Sequence, residues 1–173
     1  GLDTLLEACA LLQDKGVKLQ LQVVGHGEAQ KSLLALAERL GLGETVSFLG
    51  RLKPEEARAK VLEASLVCIP RKPYRVCEII PPIKLVEALA MAKPVVVPDL
   101  PVFRDELAGG ECAWFFRADD PQSLADTLAQ ALQDRDRLVK MGDRAREYAE
   151  TRRNWQAFAR GVAEAVDGMR KVV

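Results

Sequence analysis

Five short apolar runs, each followed by a longer amphipathic segment, decide what this chain can fold into. The runs are KLQLQVV (18–24), TVSFL (45–49), LVCI (66–69), PVVV (94–97) and AWFF (113–116). Helical periodicity fills the intervals at 2–15, 28–40, 54–64, 82–91 and 101–107. It continues alone through 121–134, 135–151 and 155–171. Strands that alternate with helices this long build crossover units, and such units close into a parallel sheet covered on both faces. The nearly all-apolar strands agree, because strands buried on both sides have no polar face to show. The expectation is therefore an α/β, doubly wound, mostly parallel fold in one domain, residues 1–173. Helices from about 121 to 171 form its carboxyl-terminal part.

Composition narrows the class of function. The chain has 173 residues, with 25 basic and 25 acidic side chains and a formal net charge of zero. Nothing in that balance asks for a nucleic acid. The four cysteines, Cys9, Cys68, Cys77 and Cys112, form no Cys-x-x-Cys pair and no Cys/His cluster, so no metal site is expected. Cys68 reads as a small buried hydrophobe. Free thiols suit a reducing, cytoplasmic setting.

In a doubly wound sheet, ligands bind beyond the carboxyl ends of the strands. Three loops sit there: Gly25-His26-Gly27-Glu28, the stretch 70–84, and 98–104. GHGEAQ has two glycines of the dinucleotide pattern but Gln30 in the place of a third, so a hydride cofactor is disfavoured. Gly25 and Gly27 read first as a tight turn needing flexible backbone, and second as a close approach to a ligand. His26, the sole histidine, has no acid beside it to make a dyad.

The stretch EIIPPIKLVEALAMAKPVVVPD (78–99) carries more. Lys84 and Glu87, three residues apart, share a helix face. Leu85, Val86 and Leu89 fill the opposite one. Pro82 opens the helix without loss of a hydrogen bond. The first-turn amides, through Ile83 and Leu85, then face the same side as the Lys84 ammonium. Amides, dipole and lysine suit a phosphate, and a carboxylate one turn later suits ribose hydroxyls. A surface ion pair between Lys84 and Glu87 is the equal alternative. Arg71, Lys72 and Arg75 add positive charge just upstream. Trp155 and Phe158 share a face of the last helix and read as core, with docking on another domain as the second reading.

These motifs in this order resemble the carboxyl-terminal, donor-binding domain of GT-B, family 4 (group 1) glycosyltransferases. KLVEALAMAKPVVVPD and the tail ADDPQSLADTLAQALQD…MGDRAREYAE…W are the most specific parts. The resemblance implies a Rossmann-like domain that binds a nucleotide-sugar, UDP- or GDP-linked, with no cofactor and no essential metal. It implies transfer, with retention, to a glycan, lipid or small-molecule acceptor. Glu87 matches the second glutamate of the family's E-x7-E motif, which binds ribose, and the backbone just before it approaches the diphosphate. The first glutamate falls on Ile79 here, and Glu78, one place away, is the candidate substitute against the donor sugar.

In the family a strand and a Lys-Gly pair precede the first helix, and this chain begins after them. The resemblance therefore implies an absent central strand and an absent amino-terminal domain. Exposed sheet edges, self-association through them, and inactivity of the isolated chain are the expectations. Attachment to the inner membrane, if any, falls to the absent domain. A GT-B epimerase-like enzyme and a non-enzymatic interaction module are the alternatives. A receiver module is disfavoured, because its middle strand would end in aspartate and here it ends Cys68-Ile69-Pro70.

Overall fold

The computed structural model describes residues 1–108 and 111–170. In chain order its elements are α1 (Leu2–Asp14), β1 (Leu21–Val24), α2 (Gln30–Arg39), β2 (Val46–Gly50), α3 (Pro54–Glu63), β3 (Val67–Cys68) and α4 (Arg75–Ile79). Then come α5 (Ile83–Ala90), β4 (Val95–Pro98), α6 (Pro101–Glu106), β5 (Ala113–Phe116), α7 (Pro121–Gln133), α8 (Arg135–Arg152) and α9 (Trp155–Arg170). Every ladder is parallel. The expected α/β class stands.

The strands form two sheets, one of β1 and β2 and one ordered β3-β4-β5. Leu21 and Gly25 donate across to Thr45 and Gly50, both at 2.8 Å. On β3, Val67 and Ile69 donate to Pro94 and Val96 at 3.0 and 2.9 Å. Alternate residues of a parallel strand bond to opposite neighbours. The main-chain groups of Gln22 and Val24, and of Leu66 and Cys68, therefore face away from their sheets. No ladder joins β1 to β3. The facing edges of β1 and β3 are therefore open, as expected.

Side chains bridge what the backbone does not. Leu21 and Val23 of β1, with Leu66 and Cys68 beside the seam, pack on one cluster formed by Leu5, Leu6, Cys9 and Leu12 of α1 and Leu124 and Leu128 of α7. The other face of the larger sheet turns to a second cluster. Val96, Trp114 and Phe116 belong to the first cluster, while Val95, Val97 and Phe115 pack in the second. This alternation is the two-residue period of a strand covered on both sides. All four residues of β4 are buried.

Helix α8 packs on α5 in that second layer. Helix α5 ends at Ala90, and Ala92, two residues on, adopts a left-handed φ of +57°. Lys93 donates back to the Ala88 carbonyl at 3.0 Å, which closes the helix. The turn aims the Ala92 carbonyl at Gly142 of α8, so closely that a Cβ at position 142 would overlap its oxygen.

Several boundaries differ from the sequence expectation. The strand expected at 18–24 starts at Leu21, because its partner β2 offers no residue before Val46 in the register. Helix α5 starts at Ile83, with Pro82 in the extended capping position. The stretch 71–80 is not all loop, for the Tyr74 carbonyl accepts from Cys77 and Glu78 and winds α4. Trp155 and Phe158 are not core: their rings meet edge to face at 6.0 Å, and they stand 84% and 65% exposed. Val162, Val166 and Met169 continue that exposed stripe along α9. Position 171, expected to end this helix, lies outside the described residues. Cys68 is half-buried, at the seam. No helix among the described residues is long and apolar enough to cross a membrane.

Candidate functional site

Helix α5 is anchored by Leu85, Ala88 and Leu89, all buried in the second cluster at i, i+3 and i+4 spacing. That burial turns Lys84 and Glu87 outward, and both are exposed. They do not pair with each other, and neither meets an opposite charge among the described residues. The surface ion pair that the sequence allowed is therefore not formed. The Leu85 amide is taken by the Pro82 carbonyl at 3.0 Å, so it is not one of the open amides expected there. The amides of Ile83 and Lys84 have no such bond among the described residues.

The stretch before α5 is drawn closed by Arg71, whose Nη1 donates to the Ile80 carbonyl at 2.6 Å. Arg71, Glu78, Ile83, Lys84 and Glu87 thus belong to one loop-helix unit after β3. Glu78 is half-buried on α4. Gly25 and Gly27 follow β1, across the seam. Gly25 holds a φ of +135°, a conformation that side chains resist, and Gly27 accepts from Gln30 at 3.1 Å to start α2. His26 is exposed.

Lys72 is committed elsewhere. Its ammonium lies 2.6 Å from Asp3 at the start of α1 and 3.2 Å from Asp119 after β5. Thr4, a buried hydroxyl, donates to Asp119 at 2.9 Å. Lys72 thereby fastens the β3 loop to two other segments and adds no free charge to the site. Partial burial pushes the Asp3 carboxyl up. The Lys72 hydrogen bond, the Thr4 amide and the nearby ammonium charges outweigh it and hold Asp3 at about 2. A carboxyl held below its unfolded value of about 3.9 contributes stability that is complete above that pH. The contribution is lost as pH falls towards 2. Because Asp3 is 43% exposed, its size is below about 1 kcal/mol. Denaturant unfolding of wild type and Asp3→Asn should differ near neutrality and converge as pH drops through this window. A constant gap would show that the Lys72 contact does not act on Asp3.

The third loop is also self-contained. Arg104 grips Asp99 through Nε and Nη2 at 2.6 and 2.9 Å, and lies 4.2 Å over the Phe115 ring. The guanidinium bond lowers the Asp99 carboxyl against its slight burial. A feature absent from the sequence expectation lies on α4: Val76, Ile79 and Ile80 are exposed, with Tyr74 and Ile83 flanking them. Their i, i+3, i+4 spacing was the available signal, and the double proline beside it obscured the helix.

A family model for the group 1 glycosyl transferases matches residues 1–150. The chain belongs to the group 1 glycosyl transferases. Among curated relatives it is 28% identical, over 177 aligned residues, to a putative colanic acid biosynthesis glycosyltransferase, WcaL, of Escherichia coli K12. That alignment covers 98% of this chain and 42% of the relative, so the chain spans about two-fifths of its length. Among solved structures, sucrose-phosphate synthase of Thermosynechococcus elongatus superposes with a TM-score of 0.78 at 20% identity, covering all of this chain and 43% of that one. The HepE protein of Anabaena, solved with UDP, gives a TM-score of 0.73 at 22% identity, covering 95% and 44%. The fold is the GT-B fold of this group.

Proposed function

We propose that this chain is the donor-binding half of a retaining glycosyltransferase that uses a UDP- or GDP-linked sugar. One observation carries the reading. Lys84 and Glu87 stand exposed and unpaired on one face of α5, above two open amides at its start. The amides of Ile83 and Lys84, the helix dipole and the Lys84 ammonium face a diphosphate. Glu87 accepts hydrogen bonds from the ribose hydroxyls. Glu78, on the half-buried side of α4, contacts the donor sugar. Gly25 and Gly27 let the backbone of the neighbouring sheet come close.

In the reaction the bond from sugar C1 to the distal phosphate oxygen breaks, and a bond from C1 to an acceptor hydroxyl oxygen forms. The hydroxyl proton ends on the leaving diphosphate. Negative charge grows on that diphosphate, and the α5 terminus with Lys84 is placed to stabilise it. That HepE, a structural neighbour, was solved with UDP supports a nucleotide as the ligand of this fold. The apolar stripe of α9 is the surface for an amino-terminal domain that brings the acceptor, so the isolated chain transfers nothing alone.

The test is a thermal-shift panel of UDP-, GDP- and ADP-sugars on a chain extended upstream by one strand. At least one should stabilise it, and Glu87→Ala should abolish that shift. Silence across the panel would sink the donor reading. A full-sized shift in the variant would remove Glu87 from the site.

A further inference from the structure

Helix α2 shows solvent a face that is its own complement. Lys31, Leu34, Ala35 and Glu38, at i, i+3, i+4 and i+7 spacing, are all exposed. They line one groove with Val46 and Phe48 of β2. Lys31 and Glu38 lie two turns apart, and neither forms an ion pair among the described residues. Beside α2 runs a free sheet edge, for β2 pairs with β1 alone among the described strands. Leu21 donates to Thr45 at 2.8 Å, so by strand alternation Ser47 faces β1, and the N–H and C=O of Phe48 point away from it. Sheet edges are commonly blunted by proline or charge, and VSFLG (46–50) has neither. The charges stand outside it. Glu44 precedes the strand and Arg51 follows it, both exposed and both without an ion pair among the described residues.

We propose that this face binds a second copy of the chain, with β2 and α2 each meeting its own image antiparallel about a two-fold axis. A two-fold at Phe48 lets the two Phe48 residues exchange both main-chain hydrogen bonds, which joins the sheets. It also brings Glu44 of each copy towards Arg51 of the other. On α2, a two-fold midway between Leu34 and Ala35 sets each Lys31 against a Glu38 and each Leu34 against an Ala35. A parallel, in-register partner would instead oppose like charges at every one of these places. The spacing of the layers agrees. Paired strands lie about 4.8 Å apart. Helix α2 links β1 to β2, and its Leu33, Leu36 and Ala37 pack in one cluster with Leu21, Val23 and Val46. A helix seated over that strand pair has its axis about 5 Å from a two-fold at the outer edge of β2. The two copies of α2 are then about 10 Å apart, the distance at which helices pack. Leu34 and Phe48 of both copies close the groove to water. None of these residues belongs to the candidate donor site, so the surface stands whether or not a nucleotide binds.

Sedimentation equilibrium of the full chain is the test, and a monomer–dimer equilibrium in the micromolar range is expected. Lys31→Glu and Glu38→Lys should each weaken the dimer about tenfold, because each puts like charges together at both symmetric contacts. The double reversal Lys31→Glu, Glu38→Lys should restore it. The two single variants, mixed in equal amounts, should bind each other more tightly than either binds itself, since each supplies the charge the other lacks. Both side chains are exposed, so thermal melts of the variants should match wild type. A chain that stays monomeric to about 100 μM would overturn the proposal. So would a dimer that both single variants keep at full strength, which would move self-association to another surface, such as the seam. Loss of the dimer in the single variants with no rescue, either by the double reversal or by mixing, would show that Lys31 and Glu38 do not meet across a two-fold and would overturn it as well.

Discussion

Gly142→Val is expected to destabilise the chain by about 1–3 kcal/mol, the range for overpacking a filled core. For a domain of this size that is a fall in Tm of roughly 2–12 °C. The reason is local and rigid. A side chain at 142 meets the carbonyl of Ala92, which is backbone and cannot swing aside as a flexible side chain would. Relief requires α8 to lift from α5, and that exposes Leu85, Leu89 and Ala145 of the second cluster. Ala92→Gly is the contrasting change. It removes a Cβ from a left-handed position and should raise stability by about 0.5–1 kcal/mol. Thermal melts followed by circular dichroism would separate the two. A Gly142→Val protein that melts with wild type would mean the helices are not in close approach.

Phe103→Ala should cost more, about 3–5 kcal/mol. Phe103 is completely buried in α6, among Val95, Val97 and Leu100. Its removal leaves a cavity in the layer that supports the candidate site, because α6 packs on α4. The urea midpoint should fall with little change in slope, as expected when contacts vanish but the unfolded surface does not change. A loss below about 1 kcal/mol would mean that the layer collapses to refill the space.

How much was legible in the sequence depended on how many constraints acted on each segment. PVVV at 94–97 could be read without ambiguity, since a run apolar on both sides fits only a central strand. The outward pair of Lys84 and Glu87 followed from three buried residues at helical spacing. Whether the two would bridge did not follow, because side-chain rotamers decide that and periodicity says nothing of them. Lys72 looked like Arg71 and Arg75 in one basic loop. Its partners, Asp3 and Asp119, are 69 residues before it and 47 after it, and only the folded chain joins them. Trp155 and Phe158 show the opposite difficulty. An apolar stripe announces that a face wants cover but not which surface provides it. Helix α4 escaped notice because its apolar side is outside, where a search for core helices does not look.

The seam between β1 and β3 bears on how the chain unfolds as a unit. Hydrogen-bond ladders ordinarily spread a local opening across a whole sheet. Here that spread stops at Gln22 and Val24 on one side and at Leu66 and Cys68 on the other. The two halves communicate instead through the shared apolar cluster that Leu5, Leu6, Cys9 and Leu12 of α1 form with Leu124 and Leu128 of α7. Cooperativity in this molecule therefore resides in the cluster of α1 and α7 rather than in its sheet, and these two helices decide whether the halves melt together or apart.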